Sequence, residues 1–251
     1  MEVEPTNPWS NLPDEAPYVL PCDFGKVRKF NKGRRANDPR KIKTRLLPEP
    51  FLGNPDAPVV ILGLNPGFNK KAFRQHRRPD FAKRLRSNLM HDSVDRSGCP
   101  LYLIDDVLLP HPKEPGRKWW DRVLRKWIDD PDIGRQAVAH GVFCVEFFPY
   151  HSKKFGHSRL KLKSQEYSFS LVRRAMDRDA VIVVLWGYRY WKEAIAELSS
   201  YPRLFRMKSR QNPVISQKNC SQGCLQGAEE LKQFARQIQL EQPALGVQTT
   251  V

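Results

Sequence analysis

Three short segments of the chain hold residue types that can do chemistry. The first is GLNPG, Gly63 to Gly67. Its proline fixes a turn, its glycines let backbone come close to a ligand, and Asn65 presents a carboxamide just past an apolar run. Asn-Pro-Gly is equally good chemistry for a plain strand-to-helix turn. The second segment is VEFFP, residues 145–149, whose Glu146 accepts hydrogen bonds but cannot donate them when ionised. It serves either as a ligand-reading carboxylate or as the ion-pair partner of a nearby Lys or Arg. The third is NPVIS, residues 212–216, where Asn212 is either a functional amide or a turn former before Pro213. His151 and His157, six residues apart among lysines, and the distant His111 fit no common metal-ligand spacing, so no metal is expected.

GLNPG resembles the first motif of the uracil-DNA glycosylase superfamily, most of all its mismatch-specific and single-strand-selective branches. VVLWG, residues 183–187, resembles that family's strand ending in Leu-Trp-Gly, and NPVIS is similar to its second catalytic motif. The three follow in the family's order, and the resemblance covers residues 57–240. It implies a DNA N-glycosylase that turns a damaged or unusual base out of the stack and hydrolyses its glycosidic bond. Asn65 would orient the attacking water, and Asn212 with the backbone amides of the first loop would stabilise the departing anionic base. Gly63, Leu64, Pro66, Gly67 and Ser216 complete the two loops, Ile215 would fill the gap left by the base, and Phe68, Phe73 or Phe81 would stack on it or wall the pocket. Two departures stand out. NPVIS is one residue shorter than the family motif, and Glu146 stands where the family places an asparagine that reads the uracil edge. An ionised Glu146 suits an exocyclic amino group, whereas a protonated one mimics the amide.

The elements that must position these residues alternate along the chain. Continuous apolar, β-branched runs at 57–65, 140–150 and 180–187 predict buried parallel strands, and 203–209 predicts a fourth. Between them, 70–89 reads as a helix broken at Pro79, and 99–110 as a short strand or a loop. KWWDRVLRKWIDD places Trp120, Val123, Leu124 and Trp127 on one helical face. Further helices are expected at 167–176, 188–200 and 227–240. The pattern predicts an α/β fold with a central parallel four-stranded sheet and helices on both faces, the loops after the strands gathering at one rim.

Composition narrows the function classes. The chain has 251 residues with 43 Lys plus Arg against 27 Asp plus Glu, a net charge of +16, which favours a polyanionic partner. Ten of the basic residues crowd into Lys26–Arg45, read as a basic arm within an N-terminal extension of residues 1–50, ahead of a domain at 51–240 and a tail at 241–251. The start lacks the pattern of a signal peptide, and no apolar run is long enough to span a bilayer. Five cysteines without regular spacing fit a reducing compartment; Cys220 and Cys224 form their only close pair, and no cofactor is implied. The expected protein is cytoplasmic and monomeric, acts on single- or double-stranded DNA and engages no membrane. The competing reading is a catalytically silent nucleic-acid-binding protein that kept the fold; an enzyme on free nucleotides or tRNA is the remoter third.

Overall fold

The computed structural model describes residues 5–92, 98–209 and 211–241; the expected tail beyond Glu241 lies outside them. Five strands form one sheet: β1 (Phe51–Gly53), β2 (Val59–Gly63), β3 (Val142–Glu146), β4 (Val181–Val184) and β5 (Leu204–Arg206), in the order β1-β3-β2-β4-β5. The last four are parallel to one another, and β1 runs antiparallel along β3. All residues of β2 and β4 are buried, as expected of a sheet whose strands read as unbroken apolar runs.

The sheet therefore has five strands where four were predicted. The extra one, Phe-Leu-Gly, is three residues long and sits among Pro48, Pro50 and Pro55, so it carries no readable period and looks like a loop. Residues 99–110 hold a buried 3-10 turn, Tyr102–Ile104, rather than a strand.

Eight α-helices accompany the sheet among the described residues: α1 (Pro21–Asn31), α2 (Lys70–Gln75), α3 (Pro79–Leu89), α4 (Pro115–Ile128), α5 (Gly134–Gly141), α6 (Gln165–Asp177), α7 (Tyr188–Ala194) and α8 (Ser221–Glu241). Pro79 does separate α2 from α3, because a proline is welcome at a helix start and not inside one. The face Trp120, Val123, Leu124, Trp127 of α4 is buried as its spacing requires. No helix among the described residues is long and apolar enough to cross a membrane.

The basic segment is not a free arm. Residues 21–31 form α1, and the chain after it runs back along the loop that follows β3. Lys43 N donates to His151 O at 2.9 Å and Lys154 N to Pro39 O at 2.8 Å. Val19, Leu20, Val27, Ile42 and Leu47 join the core. Asp23, fully buried, accepts from Tyr150 Oη at 2.9 Å and Ser164 Oγ at 2.5 Å. The signal that hides this is charge: α1 buries few residues, so its apolar stripe is thin amid its lysines and arginines.

His157 closes the same seam. Its Nε2–H donates to Arg40 O at 2.8 Å, Gly156 N donates to its Nδ1, and its ring stacks on Phe148 at 4.4 Å. Burial, with Arg34 nearby, outweighs the Arg40 carbonyl and lowers its pKa to about 4. Between pH 4 and 6.5 the unfolded chain binds a proton that the folded chain refuses, so this contribution is complete above 6.5 and is lost as pH falls towards 4. In urea titrations at pH 7 and 4.5, wild type should lose about 2–3 kcal/mol more on acidification than His157→Phe. Equal losses would show that the imidazole is not held neutral.

Candidate functional site

The parallel register sets Gly63 beside Glu146 and Leu62 beside Val184, so the carboxyl ends of β2, β3 and β4 open on one rim. A cavity of about 420 Å³ lies there, large enough for a nucleobase. Asn65, Pro66, Gly67, Phe68, Phe81 and Glu146 all line it. The loop after β2 and the end of β3 thus meet, although they are far apart in sequence.

Asn65 is held by one end only. Its Nδ2 donates to Pro66 O at 2.9 Å and Ser152 Oγ at 3.0 Å. Its Oδ1 has no protein donor among the described residues, so it is the end left to accept from a water. Gly63 lets the Glu146 carboxyl lie close over it, where a Cβ would push that carboxyl aside. That carboxyl makes no ion pair among the described residues, so no Lys or Arg among them accounts for it. Its Oε2 is sealed and has no hydrogen-bond partner among the described residues. Burial, reinforced by the Glu49 carboxyl, raises its pKa to about 8. With its pKa raised to this level, the Glu146 carboxyl favours the protonated form at neutral pH, in which it can donate a hydrogen bond.

Aromatic rings make up much of the wall. Phe81 is buried edge-on to Tyr102, and Trp119 stacks on Trp186 with centroids 5.3 Å apart. Phe73 lies outside, between Arg45 and Arg77. Lys153 lines the cavity and Lys43 Nζ lies 5.2 Å from the Phe68 ring, which places cationic groups beside an aromatic wall.

The third motif does not join this cavity. Asn212 and Ser216 line a separate groove with Arg125, Lys126 and Trp127, beside α4 and α8. Asn212 is exposed and its Oδ1 accepts from Val214 N at 3.2 Å, which makes it the turn former. Ile215 is fully buried, and its N donates to Val123 O at 3.0 Å. The loop is drawn inward by Asn219, whose Nδ2 donates to Asn212 O and Val214 O while its Oδ1 accepts from Ser209 N. Ile215 is therefore a core anchor and not a wedge. Ile215→Ala should cost about 2–5 kcal/mol in a urea melt, as truncation of a buried aliphatic does. A loss below 1 kcal/mol would return it to the surface. Leu64 lies against Gly187, where a Cβ would strike it.

Sequence reasoning missed Glu49, Gln75, His76, Trp119, His151 and Trp186 as cavity residues. Glu49 is buried between two prolines, with Tyr102 Oη donating to its Oε1 at 3.0 Å; burial raises its carboxyl despite the opposing His151 and Tyr102. Burial holds His76 neutral, well below the usual imidazole range. No family model, curated protein or solved structure matches this chain.

Proposed function

We propose that the chain is a DNA N-glycosylase with a uracil-DNA glycosylase-like fold, which hydrolyses the glycosidic bond of a base turned out into the cavity. The observation that carries this reading is the meeting of Asn65 and Glu146 in one aromatic-walled cavity at the carboxyl ends of parallel strands. The base stacks against the ring wall. Oδ1 of Asn65 orients water towards the sugar, a modest task that suits a dissociative bond cleavage in which the nucleophile needs little activation. Neutral Glu146 donates its O–H to an acceptor on the base and, with the amides of the loop after β2, takes over the donor role that Asn212, in its separate groove, does not fill. Lys43, Arg45, Arg77 and Lys153 are the cations that would meet phosphates around the mouth.

The second reading, a silent nucleic-acid binder, is favoured by the absence of Asn212 from the cavity. One assay separates the two: purified protein is incubated with oligonucleotides bearing uracil, hypoxanthine, xanthine or methylated bases, and abasic sites are cleaved with alkali. Strand scission at one of these bases is expected. Salt-sensitive binding without scission on any of them would establish the silent binder.

A further inference from the structure

Glu49, His76 and His151 come from three separate segments, yet one ligand atom of each lies within 4.8 Å of the other two. Glu49 Oε1 is 3.7 Å from His76 Nε2, and Glu49 Oε2 is 3.8 Å from His151 Nε2. A tetrahedral site with bonds of 2.0–2.1 Å has ligand edges of about 3.3 Å, and the three ligand atoms, within 4.8 Å of one another, would draw together by up to about 1.5 Å around an ion.

The surroundings fit ligand duty. His151 Nδ1 is 2.8 Å from Gly67 O, the backbone bond that fixes a ligating imidazole and aims its other nitrogen. With the proton on Nδ1, Nε2 turns a lone pair towards two oxygens, Leu47 O at 3.0 Å and Glu49 Oε2. A cation bound among these atoms would satisfy them together. Tyr102 Oη anchors the Glu49 carboxyl in the manner of an outer partner. All three side chains are buried and line the cavity, which leaves the remaining coordination position open to a water or a substrate atom. Lys153 is exposed, so its charge is screened by solvent.

We infer that Glu49, His76 and His151 form a binding site for a divalent first-row transition ion of the zinc type, at the wall of the cavity. Two imidazoles with one carboxylate is a donor set suited to Zn²⁺, and also to Fe²⁺. The spacing 49, 76, 151 has no sequence signature, which is why the histidine pattern alone pointed away from a metal.

The test is binding and does not depend on the reaction the cavity runs. Full-length protein is stripped with EDTA, desalted, and titrated with Co²⁺ as the optical probe and with Zn²⁺ as the competitor. One Co²⁺ per chain with visible d–d absorption, displaced by Zn²⁺, is expected, and His76→Ala should weaken binding about a hundredfold or more. Failure of wild-type protein to bind Co²⁺ stoichiometrically would overturn the site. So would binding undiminished in a folded His76→Ala variant. If that variant does not fold, X-ray absorption of the Zn²⁺-loaded wild type decides: two imidazole ligands support the site, and none refutes it.

Discussion

Asn65→Ala should lower base excision by about a hundredfold or more while leaving DNA affinity nearly unchanged. The substitution removes Oδ1, the group proposed to orient the water, and spares the cations at the mouth. It should also leave the fold intact. Among the described residues, Nδ2 is the only Asn65 side-chain atom bound by the protein, and its partner Ser152 Oγ keeps its own bond to Lys154 O at 2.9 Å. Single-turnover rates on the excised base, together with binding to the same oligonucleotide, read the two effects apart. Equal losses of rate and affinity would mean that Asn65 grips the substrate instead of positioning water.

Glu146→Gln should raise stability at pH 7 by up to about 3 kcal/mol, measured in EDTA so that no cation sits beside the carboxyl. The folded-state pKa of about 8 lies above the ordinary 4.5. The folded chain therefore holds a proton that the unfolded chain releases between these values. The associated stability is complete below pH 4.5 and is lost as pH rises towards 8. Glutamine has no proton to lose, so the variant's advantage over wild type should grow across that window and level off above it. In the same buffer, wild-type excision should fall above pH 8 as the donor is lost, and Glu146→Gln should keep its rate. Parallel stability curves for the two proteins would show that the carboxyl is ionised in the fold.

The parts of the fold that were legible are those whose burial leaves a period or a run. β2, β3 and β4 read directly because a strand buried on both faces has no polar interruption, and α4 because its four large apolar residues recur on one face. β1 is too short to have a period. α1 was hidden by its basic residues, and its docking depends on Asp23, whose partners Tyr150 and Ser164 are more than a hundred positions away.

The site divides in the same way. Asn65 and Glu146 lie directly at strand ends, so locating the strands located them. Asn212 was misplaced because a loop's direction is set by what it buries, and the pull of Ile215 and Asn219 has no local signature. Glu49, His76 and His151 meet only through tertiary packing, so no spacing rule reaches them.

The central claim is that a glycosidic bond is hydrolysed in this cavity, and the products report on it directly. Wild-type protein should be incubated with each oligonucleotide of the panel, and free base and abasic strand quantified by mass spectrometry. The account predicts release of one intact base with an equal amount of abasic strand, and loss of both products in Asn65→Ala. Intact oligonucleotides across the panel, or base release that persists at the wild-type rate in Asn65→Ala, would contradict it.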